Sequence, residues 1–446
     1  MTTYWCELAL VDDHLAQRVS IDVADGRFGS IAANVDPPAD ARQLAGLTLP
    51  GFANAHSHAF HRALRGRTQG ATGSFWTWRE LMYRAAAGLT PENYHRLARA
   101  TFAEMAMAGI SAVGEFHYVH HQPDGSPYPN ANAMGEALLA AATDAGIRIT
   151  LLDTLYLHGG LSADGYAEPT SGQLRFCDRS AEAWIERVDQ LMPSDTQKVG
   201  AAIHSVRAVD PKSMAAVAAW AERHDAPLHA HVSEQVEENE QCVAGHGVTP
   251  TALLVEVGAA DERFSAVHGT HLTPDDVAHY ASTNSTVCFC PTTERDLGDG
   301  IGPSTELVDA GVPLSLGSDS HAVIDMFEEA RAVELDERLR SRRRGVHSAA
   351  SLMTMATVNG HRCLGWTDAG SIVTGNRADL VTVSLDSTRT TGGTADDAVE
   401  TAIFAATAGD VTDVLIDGTP IVTDRLHSTI DVPAELLGAI TELLDT

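Results

Sequence analysis

The chain has 446 residues, of which 44% are hydrophobic and 20% charged, a balance typical of a globular enzyme. Its formal net charge of -30 argues against nucleic acid or an anionic membrane as a partner. No apolar run approaches the roughly 20 residues of a membrane span, and the N-terminus lacks the basic and apolar regions of a signal peptide. We therefore expect a cytoplasmic protein. Since no Cys-x-x-Cys pair occurs, its cysteines indicate core packing rather than thiolate zinc.

The two ends of the chain share a β pattern that differs from the pattern between them. Residues 1–48 alternate apolar and polar side chains in short runs that are separated by Gly, Asp and Pro turns. The same alternation returns in residues 371–446, where Asp417-Gly418 is a hairpin-turn signal. We predict that these two segments pair into one small discontinuous β-sandwich domain.

Residues 49–370 alternate short apolar runs with Ala-rich helical segments, such as 213–224 and 325–339. The predicted strands are one that ends at His58 and seven others at 111–116, 147–156, 199–204, 227–231, 265–268, 286–290 and 313–319. Eight repeated strand–helix units indicate the α/β class and a parallel sheet. We therefore predict a (β/α)8 TIM-type barrel over residues 49–370.

Polar side chains that suit a metal ion stand at the ends of several predicted strands. They are His56 and His58 on the first strand, His204, His231 and His268 on three later strands, and Asp319 on the last. Residues i and i+2 of a strand share a face, and the carboxyl ends of barrel strands converge on one mouth. A lone His-x-His is weak evidence, and each later residue taken alone can cap a turn. Their joint position at strand ends predicts one metal site.

The predicted ligands are His56, His58, His231 and Asp319. Three imidazoles and a carboxylate suit one divalent ion, zinc first, with iron or manganese as substitutes. Such a metal lowers the pKa of a bound water and supplies hydroxide near neutral pH. Glu234 lies three residues beyond a ligand, where it can shuttle a proton without binding the metal. His268 and Asp319 would orient the water and stabilise developing charge, so the pattern predicts metal-assisted hydrolysis.

These residues resemble the amidohydrolase superfamily in its mononuclear deaminase branch, since no lysine near the end of the fourth strand can bridge a second metal. Longer segments are similar to the formimidoylglutamate deiminase family, namely 56–60, 75–84, 115–121, 204–209, 293–294, 297–300 and 317–321. The resemblance implies hydrolytic deimination of N-formimino-L-glutamate to N-formyl-L-glutamate and ammonia, in histidine degradation. In that reaction a metal-bound hydroxide attacks the formimino carbon, and Glu234 passes a proton to the departing nitrogen.

The same resemblance implies a set of substrate-binding residues, namely Arg79, Tyr118, His204, Arg207 and His61. The implied substrate is a small dicarboxylate, and arginine forks bind carboxylates in a bidentate way. Without the resemblance, Arg79 would indicate a helix-surface salt bridge and Tyr118 a packed aromatic. His61 stands where the family usually has glutamine, and an imidazole cannot copy the paired donor and acceptor of an amide. Relatives are commonly dimers, so we expect a homodimer.

Two other functions stay open. The first is another deaminase of the same branch, acting on a purine, a pyrimidine or a related heterocycle. A ring substrate would need a stacking wall and amide-type donors, whereas paired arginines favour an open-chain dicarboxylate. The second is a non-catalytic barrel that serves as an assembly scaffold. A scaffold would be expected to lose ligands, whereas every predicted ligand and proton carrier is present here.

Overall fold

A computed structural model of the chain describes residues 1–68 and 75–444. Its strands are β1 (Thr2–Val11), β2 (His14–Ala24), β3 (Arg27–Ala32), β4 (Arg42–Pro50), β5 (Phe52–Ser57), β6 (Ile110–His117), β7 (Arg148–Leu155), β8 (Gly160–Ser162), β9 (Gly165–Ala167), β10 (Gln197–Ile203), β11 (Leu228–Val232), β12 (Phe264–His268), β13 (Thr286–Phe289), β14 (Leu314–Leu316), β15 (Leu380–Val383), β16 (Val411–Ile416), β17 (Thr419–Thr423) and β18 (Leu426–His427).

Its α-helices are α1 (Phe75–Ala87), α2 (Pro91–Met107), α3 (Ala133–Ala145), α4 (Ala181–Val188), α5 (Pro211–His224), α6 (Val236–His246), α7 (Pro250–Glu256), α8 (Pro274–Thr283), α9 (Pro291–Leu297), α10 (Ser304–Asp309), α11 (Met326–Ser341), α12 (Ala349–Thr354), α13 (Gly360–Cys363), α14 (Ala398–Ala405) and α15 (Val432–Leu444). A 3-10 turn at Ala59–Leu64 follows β5 directly. Within the described ranges, no helix combines the length and the apolar character that crossing a membrane requires.

The central sheet is a parallel barrel with the strand order β5-β6-β7-β10-β11-β12-β13-β14. Each neighbouring pair in this order runs parallel. The two ends of the sheet meet where Asp319 N donates to His56 O at 3.0 Å and His58 N donates to Asp319 O at 3.3 Å. The predicted (β/α)8 barrel is confirmed, and its closure brings the His-x-His segment beside Asp319.

Several barrel helices begin with the same capping signal. Asp210, Thr249 and Thr273 cap α5, α7 and α8, and each is followed by proline at the first helical position. In α5, for example, Ser213 N donates to Asp210 Oδ1 at 3.1 Å. This cap starts α5 at Pro211, two residues before the start that the sequence pattern predicted.

The second sheet combines both ends of the chain in the order β18-β17-β16-β15-β4-β1-β2-β3. The C-terminal β15 pairs antiparallel with the N-terminal β4, where Val381 lies opposite Leu49. The sheet has its own apolar cluster, which includes Tyr4, Cys6, Val19, Ile21, Leu380 and Leu415. A small β unit built from both termini is thus confirmed. The domain boundaries at residues 48/49 and 370/371 stay predictions.

A buried ion pair joins the barrel to the second sheet. Arg148, the first residue of β7, donates to both carboxylate oxygens of Asp379, which directly precedes β15. Both side chains are at most 1% exposed. Burial alone would raise the pKa of Asp379, but the charge and the hydrogen bonds of Arg148 outweigh burial and lower that pKa to about 2.

The variant Asp379→Asn should lose up to about 3–5 kcal/mol of unfolding free energy, because it removes the buried counter-charge of Arg148 and leaves only the partly exposed Asp417, whose Oδ1 lies 3.1 Å from Arg148 Nη1. Since the folded pKa of Asp379 lies below its unfolded value, the contribution of the pair is complete above about pH 4 and is lost as the pH falls towards 2. Thermal unfolding midpoints of wild type and variant, measured from pH 7 downward, test this prediction. Equal midpoints at pH 7 would contradict it.

Candidate active site

The first barrel strand delivers two imidazoles to the mouth of the barrel. His56 lies in β5, and His58 follows the last residue of that strand. The side chains of both are buried. His58 Nδ1 donates to Phe116 O at 2.9 Å. The proton of His58 is therefore on Nδ1, and its Nε2 presents a lone pair.

A buried carboxylate holds this strand end. Ser57 Oγ donates to Glu115 Oε2 at 2.6 Å, and Ala59 N donates to Glu115 Oε1 at 2.7 Å. Burial raises the pKa of Glu115 to about 8. No role was predicted for Glu115 from the sequence. An acidic residue inside an otherwise apolar predicted strand is the signal that could have identified it.

His231 and Asp319 complete a cluster with the two imidazoles of the first strand. His231 Nδ1 donates to His204 O at 3.0 Å, and its Nε2 lies 3.2 Å from His56 Nε2. Asp319 Oδ1 lies 3.3 Å from His56 Nε2 and 3.4 Å from His58 Nε2. The four donor atoms all lie within 4.8 Å of one another. The structure thus brings together the four predicted ligands.

The protonation states of these four side chains suit the binding of a cation. The Nδ1 protons of His58 and His231 are used by backbone carbonyls, so their Nε2 atoms point into the cluster as lone pairs. Burial and the neighbouring histidines hold the pKa of His231 well below its usual value. Burial would raise the pKa of Asp319, but the adjacent imidazoles outweigh burial and hold that pKa well below its usual value. Neutral imidazoles with an ionised carboxylate can hold one divalent metal ion.

Two predicted proton carriers lie beside the cluster. His268 Nε2 lies 3.8 Å from Glu234 Oε1 and 3.9 Å from Asp319 Oδ2. On the other side of the ring, His268 Nδ1 lies 3.4 Å from Glu294 Oε1. Burial alone would lower the pKa of His268, but these carboxylates outweigh burial and hold it well above its usual value. Glu294 occurs in a segment noted from the sequence, where no role was assigned to it.

The backbone at two of these strand ends is strained. His268 has φ 71 and Asp319 has φ 40, in the left-handed region that side chains rarely adopt. Strand β14 ends at Leu316, so the prediction that the strand continues to Asp319 was wrong, although Asp319 keeps one parallel bridge to Ser57. Such outliers cluster at functional sites, where the surrounding structure compensates for the strain.

A cavity lies over the cluster. The predicted substrate-binding and catalytic residues all line it, namely His61, Arg79, Tyr118, His204, Arg207, Glu234, His268 and Asp319. The remaining walls, to which no role was assigned from the sequence, include Trp78, Met82, Tyr83, Tyr156, Phe176 and Leu297. Arg79 Nε donates to Tyr83 Oη at 2.6 Å. The side chains at 75–77, which begin the aromatic segment noted from the sequence, lie outside the described residues.

The residue that departs from the family pattern lies against a predicted ligand. The rings of His61 and His58 have centroids 4.6 Å apart. His61 Nε2 lies 3.1 Å from Tyr118 Oη. In the described part of the chain, His61 Nδ1 has no hydrogen-bond partner. His61 and Tyr118 therefore form one polar pair on the cavity wall.

Arg207 has a buried counter-charge that was not predicted from the sequence. Glu238, in the first turn of α6, is 1% exposed. Its Oε2 lies 3.6 Å from Arg207 Nε. Among the described residues, neither Glu238 oxygen nor Arg207 Nε has a hydrogen-bond partner. From sequence alone, an acidic residue in the first turn of a helix is expected to be solvated and to interact with the helix dipole.

A second buried cluster, His117, His120 and Asp153, also has donor atoms close enough for a metal. Arg187, however, donates to both oxygens of Asp153, at 2.9 and 2.8 Å. Because the guanidinium already balances this carboxylate, we interpret the second cluster as a structural ion-pair network.

Comparison with known proteins agrees with this geometry. The amidohydrolase family matches residues 47–421. Formimidoylglutamate deiminase from Pseudomonas aeruginosa is 37% identical over 462 residues, covering 100% of both chains. The crystal structure of an amidohydrolase from Brucella melitensis has a TM-score of 0.90 and 33% identity over 100% of both chains. That of an adenosine deaminase from Xanthomonas campestris, with bound zinc, has a TM-score of 0.83 and 25% identity, covering 99% of this chain and 97% of the other.

The resemblance to amidohydrolases, and within them to formimidoylglutamate deiminase, is confirmed by these matches. The matched region begins before the His-x-His segment and extends beyond Asp319. It therefore includes the whole barrel with its cluster of candidate ligands. This chain belongs to the amidohydrolase family and is a hydrolase.

Proposed function

We propose that this chain hydrolyses N-formimino-L-glutamate to N-formyl-L-glutamate and ammonia, as a step of histidine degradation. The observation that carries the proposal is that Arg79 and Arg207 line the same cavity as the candidate metal cluster. A substrate with two carboxylates and a formimino group needs both features at once. The full-length likeness to formimidoylglutamate deiminase of P. aeruginosa supports the same substrate.

The arginines would bind the carboxylate end of the substrate. Glu238 faces the Nε side of Arg207, so the two terminal nitrogens of the guanidinium remain for a bidentate carboxylate. Tyr118 and His204 lie on the same wall, with ring centroids 5.7 Å apart, and can donate further hydrogen bonds. Held in this way, the substrate would extend its formimino group towards the histidine cluster.

The chemical step requires that water adds to the formimino carbon and that ammonia leaves. A divalent metal held by the four ligands, most readily zinc, would supply Lewis-acid activation of the attacking water. Glu234 would accept a proton from the water and deliver it to the departing nitrogen. Both water protons end on that nitrogen, since an imino NH becomes NH3. His268, 3.8 Å from Glu234 Oε1, would steady the carboxylate and the charge that develops.

A second candidate function is deamination of a purine or a related heterocycle. The observation that favours it is the aromatic lining of the cavity, which includes Trp78, Tyr83, Tyr156 and Phe176. Such rings can stack on a planar substrate. Ammonia release from formiminoglutamate and from a panel that includes adenosine separates the two functions. We expect release from formiminoglutamate alone, and preferential release from a ring compound would overturn the proposal.

Arg207→Lys should reduce kcat/KM for formiminoglutamate, because lysine keeps the charge and loses the planar fork. Arg207→Met should reduce it by roughly 10–100-fold, the value of one charge-assisted hydrogen bond of about 1.5–3 kcal/mol. Steady-state kinetics on the substrate and on an analogue without the distal carboxylate provide the measurement. Arg18→Met, on β2, is the matched control, since Arg18 is exposed and pairs with Asp36. Equal losses on both compounds would show that Arg207 has only a structural role.

A further inference from the structure

The loop that carries Arg207 is a tight turn joined to the segment that leads into the β8–β9 hairpin. Ala208 N and Val209 N both donate to Ser205 O, at 3.1 and 3.2 Å. Leu157 N, in the segment between β7 and the hairpin, donates to Ala208 O at 2.9 Å. The position of the Arg207 side chain thus depends on a turn whose backbone is shared with a neighbouring element.

One side chain of the hairpin reaches the carbonyls that flank Arg207. The hydroxyl of Tyr166, on β9, lies 3.2 Å from Val206 O and 2.9 Å from Val209 O. A phenol has one proton, so it donates to one of these carbonyls at a time, while its oxygen can accept from His246 Nε2 at 3.1 Å. Tyr166 is therefore hydrogen-bonded to the arginine loop and to the end of α6.

Helix α6 is linked to Arg207 directly near its start and, through Tyr166, indirectly at its end. Near its start, Glu238 Oε2 lies 3.6 Å from Arg207 Nε. At its end, His246 meets the hairpin tyrosine. The helix packs directly on the hairpin, because a Cβ placed on Gly245 would lie 3.1 Å from Ser162 O. Helix α6 thus lies beside the Arg207 side chain, and together with the hairpin it holds Tyr166, which is bonded to the turn on both sides of Arg207.

We propose that Tyr166 is a positioning residue, which fixes the turn that presents Arg207 and so sets the preference for a substrate with a distal carboxylate. This inference rests on the proposed function, in which Arg207 binds that carboxylate. A bidentate pair needs the guanidinium in one orientation, and a looser turn loses part of its binding energy. Tyr166 is absent from the lining of the cavity. Its loss should therefore act through the turn that presents Arg207 rather than through direct contact with the substrate.

The test is a double-mutant cycle with Tyr166→Phe, Arg207→Met and the combined variant. Tyr166→Phe should lower kcat/KM for formiminoglutamate by about 3–10-fold, mainly through KM, which is the scale of one neutral hydrogen bond. In the Arg207→Met background the same change should have no further effect. The control is Tyr280→Phe, which removes a buried hydroxyl 3.0 Å from Thr251 Oγ1, between α7 and α8.

Hydrogen exchange of the peptide that covers residues 204–210 gives a readout that needs no substrate. We expect faster exchange in Tyr166→Phe and unchanged exchange in Tyr280→Phe. Unchanged exchange with unchanged kinetics would overturn the inference, as would an equal loss in the Arg207→Met background. Wild-type protein that releases no ammonia from formiminoglutamate would instead overturn the proposed function, and the exchange rates would still decide whether Tyr166 fastens this loop.

Discussion

Replacing Glu234 with glutamine should lower kcat by about 10²–10⁴-fold, while the metal content stays at the wild-type level. The amide preserves the shape of the side chain and cannot carry a proton. Glu234 lies outside the group of four candidate ligands, which is why the variant should keep its metal. Steady-state kinetics and elemental analysis of the same preparations provide the two measurements.

Glu237→Gln is the matched control, because it removes the same charge from an exposed side chain three residues further on, in the first turn of α6. We expect wild-type kcat for this control. A metal-replete Glu234→Gln protein with near-wild-type kcat would show that another group carries the proton.

His231→Ala should lose both metal and activity. The change removes one of four predicted ligands. Loss of a residue that only hydrogen-bonds to a ligand lowers metal affinity by about 10–100-fold, so loss of the ligand itself should lower it further. The measurement is the metal occupancy that remains after dialysis against a metal buffer, alongside turnover by the same sample.

His229→Ala separates ligand loss from cavity formation. His229 is a buried histidine on the same strand β11, and its Nε2 donates to Cys363 O at 3.0 Å. It lies outside the cluster of candidate ligands. We expect this variant to lose stability and keep its metal. Full metal occupancy in His231→Ala would mean that the predicted ligand set is wrong.

The candidate metal cluster was predictable because a parallel barrel constrains where strand ends lie. Once His56, His231 and Asp319 are placed at the ends of barrel strands, the topology alone brings them to one mouth. The exact end of the last strand was not predictable in the same way. Asp319 leaves the strand conformation at φ 40, and the pairing that holds it there comes from the first strand of the barrel.

The supporting residues could not be predicted because their roles depend on tertiary burial. Glu238 has the sequence context of a solvated helix residue, and only packing places it beside Arg207. Tyr166 lies on a three-residue strand, a length below the reach of periodicity arguments. Glu115 occupies a strand whose other side chains, His117 apart, are apolar or small, so the partners of Glu115 become visible only in the folded chain.

The most direct test of the proposed function is product analysis with purified, metal-loaded protein and N-formimino-L-glutamate. The formimino carbon is bonded to two nitrogen atoms, the imino nitrogen and the nitrogen of glutamate. Hydrolysis can release either of them. The proposed orientation predicts ammonia and N-formyl-L-glutamate in equal amounts. Formation of L-glutamate with formamide, or no turnover by protein that holds its metal, would contradict the account.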